Sequence, residues 1–397
     1  MSRFSIPTVL RGVPCELLKQ FILRYGHRSL LEYCDSPSRT DVNALVVEME
    51  FLPKDVFDRL EASLHEVCDL ACESGLNAII EAAFEEGHFD FAAEIPDGGW
   101  YHKAMWVLLN HERVFTRALF IHEIDGFSYW RKRTDLHSVS FDQSEAARKE
   151  LTNAVSEIFL QHQGRGQRCT LHVTSRKGVE YFLVYVDDFL MNVEVHDDAG
   201  SLTTGCIRPT FQVVFAFNPS ERSLELYAPK VPARVKADLE QAFARVILRA
   251  DLPPWTRRAT YELDHLKDRC FSLVTDPEDA VRVRLCRLRL SSLTNHRRIV
   301  LDGSADGKAE DVYEMLDNYI DAREFPKSQF HITQATLRFE FLPLPGRKAG
   351  GLSFDVTWPG SCGLRSQRPE RVAIIQKYLK RWKIDRSEAI EPAAVES

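Results

Sequence analysis

The hydrophobic pattern changes its period along the chain. Up to about residue 165, apolar residues recur mostly at three- and four-residue steps, the spacing of a helix face. Beyond it they recur mostly every second residue, the spacing of a strand with one face in a core. The first half predicts an amphipathic helix over residues 15–25 and a Ser/Pro-rich break at Asp35-Ser36-Pro37-Ser38. Phe57, Leu60, Leu64, Val67 and Ala71 form the face of a second helix, with Gly75 as its stop. Residues 76–86, 102–120 and 144–162 read as further helices. Leu45, Val47, Met49 and Phe51 alternate with Glu48 and Glu50 ahead of Pro53, and there a short half-exposed strand is expected.

In the second half, segments 169–175 and 179–186 flank Arg176-Lys177-Gly178, a hairpin signal. Segments 211–217 and 224–227 flank Asn218-Pro219-Ser220 in the same way, and Asp197-Asp198-Ala199-Gly200 reads as another hairpin turn. Residues 281–290, 298–302, 330–341 and 352–358 read as strands, and 235–248, 310–320 and 371–383 as helices. The expected fold is α+β: a helical acidic N-terminal domain over 1–165, then a mainly antiparallel β-sheet domain with interspersed helices over 166–386. The latter ends in a basic helix, and 387–397 is expected to be a disordered tail.

Charge sharpens this division. Residues 41–100 hold fifteen acidic side chains and two basic ones, Lys54 and Arg59. That segment carries -13 while the chain carries -7, so the remainder sums to +6. Segregated charge implies partners rather than a reaction. No apolar run approaches the roughly 20 residues of a membrane span. The N-terminus lacks a signal-peptide pattern, and the nine cysteines are scattered without a Cys-x-x-Cys pair. Reduced thiols in a cytoplasmic protein are expected. The arginine-over-lysine bias and the lack of long polar linkers suggest a prokaryotic-style protein. His65, Cys68 and Cys72 fall at helical spacing and are a candidate zinc set that lacks a fourth ligand.

The positive charge gathers in two places. Residues 281–298 hold six arginines and no acid: Arg282, Arg284, Arg287 and Arg289 alternate with apolar residues, and His296 precedes Arg297 and Arg298. The alternation slips phase between Arg284 and Arg287, which predicts a bulge or a change of face. Residues 365–386 add eight basic side chains against Glu370 and Asp385, and Lys377, Lys380 and Arg381 lie on one basic amphipathic helix with Tyr378 and Trp382. Such clusters fit a phosphate backbone, an acidic protein surface, or plain solvation with arginines discouraging edge pairing. The acidic first region is itself a candidate for that protein surface, within the chain or on another copy. Trp130-Arg131-Lys132-Arg133 reads as a solvated helix end.

Two short patterns carry possible chemistry. Tyr185-Val186-Asp187-Asp188, between apolar residues, resembles the Tyr-x-Asp-Asp motif of reverse transcriptases. The resemblance covers about ten residues and implies magnesium held by Asp187, Asp188 and a third carboxylate, for which Asp125 is the upstream candidate. Gln163-Gly164 is similar to the Gln-Gly that opens that family's next motif, but Gly166 and a strand follow where the family has a helix. A plain reading is a strand ending in an acidic turn. His172 with Thr174, and His331 with Thr333, form two His-x-Thr strands that resemble the two-histidine phosphoesterases. That resemblance implies one imidazole as base and the other as acid. A strand histidine paired to a neighbour is the plain alternative. Cys362 would need a base to act as a nucleophile, and none is evident. No Gly-rich phosphate loop is present.

The leading expectation is therefore non-catalytic: a recognition or adaptor subunit that binds a partner protein, and possibly nucleic acid, through a basic surface, with no cofactor. The rival is a phosphoryl- or nucleotidyl-transfer enzyme, either magnesium-dependent at Asp187/Asp188 or metal-free at His172/His331.

Overall fold

Helix-forming spacing carries through the first part of the chain. In the computed structural model, residues 4–386 are described, except 26–27, 35–38, 135, 137–139, 198–199, 254–259, 296, 304–309, 321–322, 324–325, 346, 348 and 366. The break at Asp35-Ser36-Pro37-Ser38, the turn residues Asp198 and Ala199, His296 and the tail 387–397 thus lie outside the described residues. Among the described residues eight α-helices come first, with a short 3-10 helix (Arg28–Cys34) after the second: α1 (Ile6–Arg11), α2 (Cys15–Arg24), α3 (Arg39–Met49), α4 (Lys54–Leu70), α5 (Glu73–Glu85), α6 (Phe91–Glu94), α7 (Trp100–Asn110) and α8 (Glu112–Gly126). Their inward faces share one core that includes Leu18, Phe21, Leu60, Leu64, Ala82, Phe91, Met105 and Phe115.

Three local expectations fail in this unit. The strand at 45–51 is instead the end of α3. Val42, Leu45 and Met49 are buried at steps of three and four, while Val47 and Phe51, the supposed strand partners, are exposed. The alternation arises only from which apolar residues happen to face water. Gly75 does not stop α4. It sits in the first turn of α5, where a Cβ would lie 2.2 Å from the Leu70 carbonyl oxygen, so the glycine lets two helices meet closely. The single helix expected over 102–120 is two, broken at His111, whose φ of -139° and ψ of 61° leave the helical region.

The chain separates into two compact units, one running to Phe127 together with Arg365–Pro369, the other from Ser128 to Leu364 and on from Glu370. The division therefore falls before α9 (Glu145–Gln163), not at 165. The change of period marks where helices give way to strands, but α9 already belongs to the sheet unit, where Leu151, Val155 and Phe159 pack beneath strands.

The second unit is antiparallel α+β with two five-stranded sheets. The first contains β1 (Arg131–Arg133), β2 (Cys169–Arg176), β3 (Val179–Asp187), β6 (Thr210–Asn218) and β7 (Ser223–Tyr227), in the order β1-β7-β6-β3-β2. A separate ribbon, β4 (Met191–His196) with β5 (Leu202–Ile207), leaves the sheet between β3 and β6. Lys177 and Gly178, both at positive φ, make the first hairpin turn. One face of the sheet meets α9 and α10 (Ala233–Phe243) over Phe182, Val184, Phe215 and Phe243. The second sheet contains β8 (Val281–Ser292), β9 (Arg298–Asp302), β10 (Phe330–Phe341), β11 (Gly350–Thr357) and β12 (Ser361–Cys362), in the order β12-β11-β10-β8-β9. Its core face meets α11 (Val312–Tyr319) and α12 (Pro369–Arg381) through Leu316, Tyr378, Leu379 and Trp382.

Trp130 to Arg133 is not a solvated helix end. It leads into the edge strand β1, and two of its arginines are paired out of solvent: Glu240 of α10 meets Arg131 at 2.8 Å and Arg133 at 3.4 Å, with side-chain exposures of 1%, 12% and 4%. Arg133 also donates to the Pro253 carbonyl at 3.2 Å. Removing one partner of such a cluster strands the others without solvent. Glu240→Ala is expected to lower unfolding stability by about 3–5 kcal/mol. Urea denaturation of the variant and the native chain checks this, and a loss below about 1 kcal/mol, the level of a surface pair, would refute it.

Candidate basic face of the second sheet

The register of β8 on β10 decides which side each arginine takes. Arg287 pairs with Thr336 but Leu285 with Leu337, so Cys286 is an extra residue on β8. This is the bulge that the phase slip predicts. It keeps Leu285, Leu288 and Leu290 on the core side while Arg282, Arg284, Arg287 and Arg289 share the other. A second bulge at Thr333 of β10 is visible only in the pairing, where Ile332 meets Leu290 and Gln334 meets Arg289. The Cys286 and Thr333 carbonyls accept bonds from the Gly303 and Trp358 N–H groups.

Cross-strand rows then build the outer face. Asp302, Arg287, Thr336 and Asp355 form one row; Arg284, Arg338 and Ser353 the next; Arg282, Glu340 and Gly351 a third. Val300, Arg289, Gln334 and Thr357 form a fourth, and Arg298, Ser291 and His331 a fifth, nearer the other end of β10. Six arginines (Arg282, Arg284, Arg287, Arg289, Arg298, Arg338) thus share a face with three carboxylates (Asp302, Glu340, Asp355), a formal +3.

Part of this charge is compensated internally. Arg287 meets Asp302 at 2.7 Å, and Glu340 bonds both Arg284 and, at 3.2 Å, Arg338. The Arg284 bond is the main reason the Glu340 carboxyl is held below its usual range. Asp355 accepts from Gln334 at 2.7 Å and Thr336 at 2.5 Å. By contrast, Arg282, Arg289, Arg297 and Arg298 form no ion pair among the described residues, and Arg282, Arg297 and Arg298 are exposed.

The basic helix does not join this face. Tyr378, Leu379 and Trp382 place α12 against the opposite, core side of the sheet. Its charges are also taken: Lys377 lies 2.7 Å from both Asp276 and Asp279, and Arg381 2.7 Å from Asp276. Lys380 lies within electrostatic reach of Glu221. The two basic sequence clusters therefore do not form one surface, because a strand and the helix covering its core face present their charges to opposite sides.

The other candidates are held by structural contacts. The Asp188 carboxylate meets Arg165 at 2.6 Å. Burial works to raise its pKa, but Arg165 and the Phe189 N–H outweigh that and hold it low. Among the described residues no three metal-ligating side chains gather, so Asp187 and Asp188 have no third ligand there; Asp125 sits on α8 in the other unit. Zinc at His65, Cys68 and Cys72 lacks support for the same reason. The helix expected to align them ends at Leu70, Cys72 accepts the Gly75 N–H as the cap of α5, and His65 stacks on Phe4.

His172 and His331 lie on different sheets, and each contacts its own neighbours. His172 is exposed and edge-on to Tyr185, and Thr174 stands beside it on β2, opposite Tyr181. His331 bonds Asp264 through Nδ1 at 3.0 Å and packs on Trp358. Asp264 accepts from the Ile332 N–H at 2.8 Å, and Lys267 donates to the Phe330 carbonyl at 2.6 Å. These side chains satisfy the part of β10 that extends past β11. The Thr333 hydroxyl donates to the Arg289 carbonyl at 3.2 Å. Burial pushes the Cys362 thiol up, away from a nucleophilic thiolate. All nine cysteines are free, and no helix among the described residues is long and apolar enough to cross a membrane.

No family model, curated protein or solved structure matches this chain.

The Asp276 pairing has a pH signature. Bonds from Arg381 and then Lys377 lower its pKa from 3.8 to about 2. A depressed folded-state pKa contributes stability that is fully present above 3.8 and is lost as pH falls through about 2. The difference in thermal midpoint between the native chain and Asp276→Asn should be widest above that window and close as acid is added. A difference that stays constant through it would refute the assignment.

Proposed function

We propose that this protein is a non-catalytic recognition subunit that holds a polyanion, such as a nucleic-acid backbone, on the outer face of its second sheet. The reading rests on one observation: four arginines of that region, Arg282, Arg289, Arg297 and Arg298, form no ion pair among the described residues, on or beside a face whose formal charge is +3. Guanidinium groups bind phosphate oxygens in a forked geometry, and each neutralised phosphate releases counterions. The three central rows offer Ser and Thr between the arginines rather than aromatic rings, so the face is suited to backbone contact more than to base stacking.

A second surface fits a protein partner. Phe84 and Phe89 of the acidic unit are 61% and 73% exposed and meet edge-to-face at 5.2 Å. Glu85, Glu86 and Asp90 flank them in the sequence. The same unit has an open hollow of 490 Å³ lined by Glu86, Glu112, Arg113, Thr116, Arg117 and Phe120. Apolar rings among carboxylates suit a partner with basic and apolar side chains.

Fluorescence anisotropy with a labelled oligonucleotide across a salt series tests the polyanion half. The native chain should bind more weakly as salt rises, with a log–log slope of about -0.9 for each duplex phosphate contacted. Changing Arg282, Arg289 and Arg298 together to Glu should abolish retention. Lys377→Glu and Arg381→Glu, at sites already paired within the chain, should leave binding close to native. Equal loss from both sets, or no salt-dependent binding at all, would overturn the proposal.

A further inference from the structure

The β4–β5 ribbon is a candidate interface of its own. It belongs to neither five-stranded sheet, so both of its outer edges are unpaired among the described residues. Its register sets Met191, Val193 and Val195 opposite Ile207, Gly205 and Thr203, all on one face. That face carries no charge, and Met191, Val195 and Ile207 are 52%, 43% and 49% exposed. The reverse face carries Asn192, Glu194, His196, Leu202, Thr204 and Cys206. A lone two-stranded hairpin cannot bury its own apolar side.

The root of the ribbon is fixed. Arg165 lies over the Phe211 ring at 4.1 Å and bonds Asp188. Arg208 donates to the Asp188 carbonyl at 3.0 Å, and the Asp188 N–H donates to the Pro209 carbonyl at 2.8 Å. The ribbon is thus presented in a set direction. Charge also differs along it. The tip carries Asp197, with Glu194 nearby on β4, while the root sets Arg165, Arg208 and Lys230 against Asp187 and Asp188, a formal +1. Each six-residue strand spans about 20 Å.

This distribution selects the occupant. An acidic tip opposes nucleic acid and anionic lipid. A second copy of the same ribbon, laid antiparallel across a two-fold axis, sets uncharged apolar face on uncharged apolar face. It also places each acidic tip beside the other chain's basic root. We propose that two copies of this chain associate through the apolar faces of β4–β5, antiparallel, with Asp197 of each near the other copy's basic root. This surface is separate from the basic face, so the two proposals stand or fall independently.

Sedimentation velocity over roughly a hundredfold concentration range tests it, because self-association follows mass action. The native chain should dimerise. Met191→Lys with Val195→Lys should raise the dissociation constant at least about tenfold, with circular dichroism unchanged and, at concentrations where both proteins are monomeric, the same thermal midpoint, because both side chains are exposed. Asp197→Asn keeps an oxygen for the Ser201 N–H bond in the turn and removes only charge, so it should weaken the dimer by a few-fold. A native chain that stays monomeric throughout would overturn the proposal, leaving the ribbon to a different protein partner. A dimer untouched by the double lysine variant would also overturn it. Loss with the lysines but none with Asp197→Asn would overturn the antiparallel arrangement.

Discussion

The antiparallel pairing of β8 with β10 is the constraint on which the basic face depends. Without the extra residue at Cys286, simple alternation would send Arg287 and Arg289 to the side of Val281, Val283 and Leu285, into the core. Burying an unpaired guanidinium costs several kcal/mol. The bulge avoids that cost and leaves both halves of the strand usable. Leu288 and Leu290 enter the core, and four arginines face the other way. The rest of the face follows from this register, because β9, β10 and β11 contribute whichever residues stand opposite.

The same register explains why a strongly basic segment makes only a moderately basic surface. Residues 281–298 contain no acid, yet pairing sets Asp302 across from Arg287 and Glu340 across from Arg282, within bonding reach of Arg284 and Arg338. Opposite charges on neighbouring strands attract, whereas a face of arginines alone would repel itself. Asp276 and Asp279 do the same for α12. Local sequence charge is therefore an upper limit on surface charge, since the compensating groups come from elsewhere in the chain.

Much of the architecture was legible. The turns at Lys177-Gly178 and Asn218-Pro219-Ser220, the helices α4, α9 and α12, and the bulge in β8 all follow from local rules. What was not legible depends on packing. Val47 and Phe51 mimic a strand because nothing local says they face water. Gly75 reads as a helix stop unless the Leu70 carbonyl beside it is known. Arg338, Asp302, Glu340 and Asp355 could not be assigned to the basic face without the strand pairing. His172 and His331 share a motif, but nothing local says that they fall on different sheets. The exposed side of β4–β5 left only its turn, Asp197 to Gly200, as a signal.

The basic face and the β4–β5 ribbon bear on each other through multivalency. A formal +3 face is small for tight retention of a polyanion at physiological salt, where much of the affinity comes from the number of phosphates neutralised. Two chains joined through their ribbons would bring two such faces to one strand. The second contact is then intramolecular, and avidity can exceed the single-site affinity by about 10²–10⁴ when the spacing allows both to engage. Partial self-neutralisation of the arginines fits that arrangement. A face weak alone would discriminate against short or isolated anions, and only an extended polyanion spanning both copies would gain the combined affinity.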